Sequence, residues 1–171
     1  MRLTLYSDYA LRLLMRLAAS PRRLVTIEEV ARGFGISRNH LMKVAHQLGT
    51  AGFIETVRGR GGGLRLNRSA SDITVGEVVR TTEEDFRLVE CFDPERNRCV
   101  IAPVCRLRHA LTEALDAYLA VLDRYSVADI AEPSGVLLAL LGSPRDGGSC
   151  ELEVIEQAGQ SHSEAPFERA P

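Results

Sequence analysis

Apolar positions recur at helical spacing from the start of the chain. Ala10, Leu13, Leu14, Leu17 and Ala18 share one face, with Ser7 placed to cap the helix and Pro21 to end it. A second helix is signalled by Thr26-Ile27-Glu28-Glu29, where the hydroxyl and the last carboxylate can each satisfy a free backbone amide. Ile27, Val30, Ala31 and Phe34 form its buried stripe. Gly33 and Gly35 permit a tight turn into a third helix, capped by Ser37 and carrying Leu41, Val44, Ala45 and Leu48 inward until about Gly52. Two short helices joined by a glycine turn predict a helix-turn-helix. A β-rich run from Phe53 to Arg58, the turn Gly59-Arg60-Gly61-Gly62-Gly63 and the alternating Leu64-Arg65-Leu66 add a hairpin. The expected fold class is mainly α, a winged helix-turn-helix.

Further along, Ser69 to Asp72 reads as a linker. Thr74-Val75-Gly76-Glu77 repeats the capping pattern before a short helix to about Arg80. An acidic run, Glu83-Glu84-Asp85, precedes a loop over 91–105 in which Pro94 and Pro103 stop regular structure. The longest periodic segment then runs from about Arg106 to Tyr125. Leu111, Leu115, Tyr118, Leu122 and Tyr125 step by four and three in turn, while Leu107, Ala110 and Ala114 widen the stripe. Such a face suits a partner helix, including a second copy of itself, or a helix lying on its own domain. Ser126 caps a short helix to Glu132, and Gly135 to Leu141 reads as an apolar strap against the long helix. From Ser143 the Gly, Ser, Pro and acidic content predicts a disordered tail. The expected organisation is therefore a DNA-binding domain over 1–80, a loop with a dimerisation helix over 81–142, and a tail over 143–171.

Charge sharpens this division. The 171 residues have a net charge of -2, but residues 1–80 hold 13 basic and 6 acidic side chains, whereas residues 81–171 hold 8 and 17. The third helix carries Arg38, Asn39, His40, Lys43, His46 and Gln47 opposite its apolar stripe, side chains that read base edges or grip phosphates. The hairpin adds Arg58, Arg60 and Arg65. Either set alone would pass for a solvated polar face. Both together, in this order, point to double-stranded DNA, with Arg38, Asn39, His40 and Lys43 in the major groove and Arg60 in the neighbouring minor groove. No apolar run approaches the roughly 18 residues a membrane span needs, and Arg12 and Arg16 interrupt the first apolar pattern. A cytoplasmic protein with no membrane contact is expected.

Cys91, Cys99 and Cys105 are separated by seven and five residues, a spacing that matches neither a zinc ribbon nor a thioredoxin-type pair. Iron–sulfur clusters are held by thiolates from Pro-punctuated loops, and three Cys leave one iron for another ligand. By spacing alone, zinc ligands and unliganded or redox thiols remain open alternatives. Cys150 falls in the expected tail.

Several segments together resemble the bacterial iron–sulfur winged-helix regulators. They are Met1-Arg2-Leu3-Thr4, Ser7-Asp8-Tyr9-Ala10-Leu11-Arg12, Ser37-Arg38-Asn39-His40, Val57-Arg58-Gly59-Arg60-Gly61-Gly62-Gly63 and the three-Cys loop. Cys99-Val100-Ile101-Ala102-Pro103-Val104-Cys105-Arg106-Leu107 and Leu122-Asp123-Arg124-Tyr125-Ser126-Val127-Ala128-Asp129-Ile130 are similar to the nitric oxide-sensing branch. The resemblance runs from Met1 to about Leu141. It implies a non-enzymatic repressor, a homodimer on a palindromic operator, released from DNA when nitric oxide attacks the cluster. It also implies a 4Fe-4S cluster rather than a 2Fe-2S one, held by Cys91, Cys99, Cys105 and, from the other protomer, Asp8. Unaided, Asp8 reads equally as a helix-start residue favoured by the dipole. A sister branch uses a His three residues after the third Cys; that position is Arg108 here, and His109 lies about 100° away around a helix. The iron-responsive branch shares the three-Cys pattern and is the alternative. From another class, a thiol oxidoreductase using Cys91 or Cys99 lacks both a base placed nearby and a nucleotide fingerprint.

Overall fold

In the computed structural model, residues 2–142 are described; the expected tail over 143–171, with Cys150, lies outside them. Among the described residues, seven helices and one hairpin follow in order: α1 (Leu5–Ala18), α2 (Ile27–Phe34), α3 (Arg38–Thr50), β1 (Ile54–Val57), β2 (Gly63–Leu66), α4 (Val75–Thr82), α5 (Arg106–Asp123), α6 (Val127–Ile130) and α7 (Ser134–Gly142). Short 3-10 turns cover Ala70–Asp72, Glu90–Phe92 and Ala102–Val104. This is the expected winged helix-turn-helix with a long helix behind it.

The core forms around α1. Ala10, Leu13 and Leu14 are fully buried, and they meet Leu41, Val44 and Leu48 of α3, Val30 of α2, Phe53, and Val78 of α4 in one cluster. Val127 of α6 joins the same cluster, so the chain returns to α1 after the long helix.

Thr26 and Glu29 form the full reciprocal cap of α2, and Gly35 ends that helix at φ 67°. β1 and β2 pair antiparallel with Glu55 opposite Arg65 and Thr56 opposite Leu64. Val25 exchanges two backbone hydrogen bonds with Leu64, at 3.0 and 2.8 Å, fastening the hairpin to the start of α2. Gly59 and Gly61 take φ of 105° and 77°, which residues with a Cβ rarely adopt, so the wing turn depends on them.

Three expectations need correction. The cap of α1 is Thr4, not Ser7: the Thr4 hydroxyl accepts from the Ser7 amide, while the Ser7 hydroxyl is buried against Thr82 and Glu83. The capping pattern at Thr74 is only half realised. Its hydroxyl accepts from the Glu77 amide at 3.1 Å, but the Glu77 carboxylate pairs with Arg68 instead. The apolar run after Gly135 is a helix, α7, that packs on α2 rather than on the long helix, with Leu141 against Gly33.

Glu83 completes the start of α1 from a distance. Its carboxylate accepts from the Thr4 amide at 2.8 Å, from the Thr4 hydroxyl at 3.0 Å and from the Ser7 hydroxyl. Burial alone would push its carboxyl up, but the Ser7 and Thr4 hydrogen bonds outweigh that and hold it below the ordinary 4.5. A depressed folded value means that the stabilisation is present above pH 4.5 and is lost as pH falls through the folded value. Glu83→Gln should lower stability at neutral pH by about 1–2 kcal/mol, with the gap to wild type closing in acid. Urea unfolding at neutral and acid pH checks this, and an equal gap at both would overturn it.

Candidate DNA interface and cysteine loop

The outward face of α3 is built by its inward one. Burying Leu41, Val44, Ala45 and Leu48 leaves Arg38, Asn39, His40, Met42, Lys43 and His46 exposed. Ser37 occupies the cap position without a side-chain cap bond, and the first turn of α3 carries no acidic residue. Arg38, Lys43, Arg58 and Arg60 make no ion pair among the described residues, so their charges face solvent. Arg65 differs: it donates twice to Glu55 across the hairpin, at 3.0 and 2.8 Å. Gln47 is also committed, donating to the Thr81 carbonyl at 2.8 Å and tying α3 to α4.

Two tyrosines of α1, not singled out from the pattern, hold α3 in place. Tyr6 donates its hydroxyl to the Lys43 carbonyl at 3.0 Å, and the Tyr9 ring stacks on His40 with centroids 6.2 Å apart. Their place three residues apart on α1 was the available signal. Tyr6 also borders a 340 Å³ hollow with Thr4, Leu5, Tyr9, His40 and Lys43 between α1 and α3.

The cysteines lie on the far segment. Cys91 sits in the 3-10 turn Glu90–Phe92 and is half-buried, Cys99 is exposed, and half-buried Cys105 immediately precedes α5. All three are free thiols. Asp93 is the buried anchor of this loop, accepting from Arg87 at 2.6 Å and from the Glu95 amide at 3.0 Å. Glu90 accepts from the Arg98 amide at 2.8 Å. Asp8, in the first turn of α1, pairs with Arg12 at 2.9 Å, and the Arg12 guanidinium lies 5.8 Å from the centre of the Phe34 ring in α2.

Three free thiols on one loop have the donor chemistry of an iron–sulfur site. Among the described residues, however, no three His, Cys, Asp or Glu side chains converge to hold a metal ion. A single chain offers the donors without closing a site around them.

Comparison with known proteins settles the class. A family model described as Rrf2, iron-dependent transcriptional regulator, matches residues 3–133. The chain belongs to the Rrf2 family. It is 54% identical over 142 residues to the HTH-type transcriptional regulator NsrR of Bacillus subtilis (strain 168), covering 82% of this chain and 97% of that protein. It is 50% identical over 146 residues to the NsrR of Geobacillus kaustophilus (strain HTA426), covering 85% and 99%. Among solved structures, oxidized Staphylococcus aureus CymR is similar at 25% identity and TM-score 0.62, over 77% of this chain and 97% of that one. T. potens IscR shares the fold at TM-score 0.64 and 21% identity, over 78% and 88%. This Rrf2 protein is thus a transcriptional regulator similar to NsrR, and the oxidoreductase alternative falls with that. No described helix is long and apolar enough to cross a membrane.

Tyr6→Phe should cost about 1 kcal/mol in urea unfolding and speed amide exchange in α3, since it deletes only the hydroxyl tether to Lys43. Unchanged exchange in α3 would show that the tether does not hold the recognition helix.

Proposed function

We propose that this Rrf2 protein is a nitric oxide-sensitive repressor that binds a palindromic operator as a homodimer, with an iron–sulfur cluster controlling its affinity for DNA. The observation that carries this reading is the set of three free thiols on the loop opening α5, in a chain that also presents an unpaired basic recognition face. Cys91, Cys99 and Cys105 would hold a 4Fe-4S cluster together with Asp8 of the partner subunit. When bound, such a cluster supplies iron that nitric oxide attacks, and a carboxylate is a harder and weaker partner for that iron than thiolate.

The homodimer rests on α5. Its 18 residues include none that is buried, although Leu111, Leu115, Tyr118 and Leu122 line one face. Those four are half-buried, whereas Leu107, Val121 and Tyr125 beside them are 65%, 41% and 50% exposed, apolar surface that a second copy would cover. In such a dimer Asp8 is well placed to report. Its partner Arg12 lies on Phe34 of the helix-turn-helix, and the adjacent Tyr9 stacks on His40 of α3. A change at Asp8 reaches both helices of the DNA-binding motif through these contacts.

Arg38, Asn39, His40 and Lys43 would enter the major groove, with Arg58 and Arg60 on the wing beside the neighbouring minor groove. Half-sites should then lie about 34–36 Å apart. A second reading, an iron-responsive regulator with the same ligands, is favoured by the family description itself.

The deciding experiment is an operator mobility shift with anaerobically purified protein, titrated separately with nitric oxide and with an iron chelator. Release by near-stoichiometric nitric oxide with slow response to chelator supports the first reading, and the reverse order supports the second. A colourless protein without iron and sulfide sinks both. Cys99→Ala should lose the cluster, whereas Asp8→Ala should keep it with altered stability or nitric oxide response. Arg60→Ala should weaken binding mostly on operators with A·T-rich flanks, and Lys43→Ala should reduce the salt slope by about 1 across all sequences. Equal salt slopes for wild type and Lys43→Ala would remove Lys43 from the phosphate contacts.

A further inference from the structure

Among the described residues, the long helix packs along α4, and the hydrogen bonds that tie it to the winged helix gather at its C-terminal end. At its C-terminal end, Arg80 of α4 grips Asp123 with two hydrogen bonds, at 2.7 and 2.6 Å. These bonds hold the Asp123 carboxyl below the ordinary range, with the Thr74 hydroxyl pulling the same way. The backbone closes the same junction. The Val75 amide donates to the Tyr125 carbonyl and the Val127 amide to the Ile73 carbonyl, both at 2.8 Å, around a bridge between Thr74 and Ser126.

Gly76 explains why the pair sits where it does. It is a buried residue in the first turn of α4, a place where helix propensity disfavours glycine. A Cβ there would overlap the Asp123 carboxylate and come within 2.9 Å of the Arg80 Nη1. The missing side chain is the seat of the ion pair.

Among the described residues, the other end of α5 makes no hydrogen bond or ion pair to the winged helix. Arg106 to Ala110 are all exposed, and Cys105 with the cysteine loop begins there. Eighteen residues span about 27 Å at 1.5 Å each, so a small rotation at the seat becomes a large displacement at the loop, and the converse holds.

We propose that Gly76, Arg80 and Asp123 form the pivot of this regulator: they fix the angle between the winged helix and α5 and thereby set the spacing of the two recognition helices. The proposal rests on the α5 homodimer described above. Arg80 and Asp123 are positioning residues, since neither lies on the DNA face or among the candidate cluster ligands.

The test uses the full-length protein with three duplexes: an operator selected from a randomised pool by the wild type, the same duplex with one central base pair inserted, and a single half-site. Wild type should prefer the native spacing. Asp123→Asn and Arg80→Gln should lose roughly tenfold of that preference, with half-site affinity and the dimer unchanged. Gly76→Ala should behave likewise, and adding it to Asp123→Ala should cost nothing further, because the carboxylate it displaces is gone. A purely structural role would lower affinity for all three duplexes alike and leave the ratio intact, which overturns the pivot while the dimer stands. A wild-type protein that sediments as a monomer on its operator overturns the dimer and the pivot with it. Both ion-pair side chains are partly exposed, so their variants should fold.

Discussion

Burial of one face of α1 is the interaction on which this structure depends. Ala10, Leu13 and Leu14 are completely removed from water, and α2, α3, α4, α6 and β2 all lean on that helix. At roughly 25 cal/mol per Å² of apolar surface, a helix packed from so many directions dominates the energetics of the winged helix. The same burial fixes the rotation of α1 about its axis. With the apolar face committed, the remaining edge must present Thr4 and Ser7 to Glu83, Tyr6 and Tyr9 to α3, and Arg12 to Phe34. The central strut of the fold is thus also its wiring, and Asp8 lies on it.

The apolar residues left over are as informative as those used. Neither α5 nor α7 contains a buried residue, although both are rich in Leu and Val. The core closes without the longest helix, which rests on α4 with its inner face only half-buried. Anchoring at the Arg80–Asp123 junction contributes little stability, as partly exposed ion pairs generally do. Its effect is geometric: it decides where the unburied face points.

Local chemistry made much of this legible in the sequence. Thr26 and Glu29 are three residues apart and cap α2 as their spacing requires, and the alternation around the glycine-rich turn does yield the hairpin. Failures came where a partner lies far along the chain. Ser7 looked like the cap of α1 because no Glu or Gln stands where the reciprocal acceptor of Thr4 belongs; that acceptor is Glu83, 79 residues away. Gln47 looked like a base reader until Thr81 claimed its amide, and Arg65 looked like a free wing cation until the strand register put Glu55 opposite it. The run before Gly142 is apolar all round, so periodicity could not say which helix α7 would lie on. At the candidate site, residue types and exposure could be read from the pattern, but the ties that position them could not.

The cysteine loop sits beside a rigid core while drawing almost nothing from it. From Phe86 to Cys105 only Asp93 and Ala102 are buried, and the segment is held by hydrogen bonds around Asp93 and Glu90 rather than by apolar packing. Such segments open at a fraction of the global unfolding free energy. Val100 and Val104, which flank the thiols, are 93% and 81% exposed, so rearranging the loop forfeits almost no core contact. Ligand binding adds free energy only to the conformation that it selects. A loop with little packing of its own therefore gives nearly all control of its conformation to whatever its thiols hold, while the packing of α1 on α3 is built from residues outside the loop.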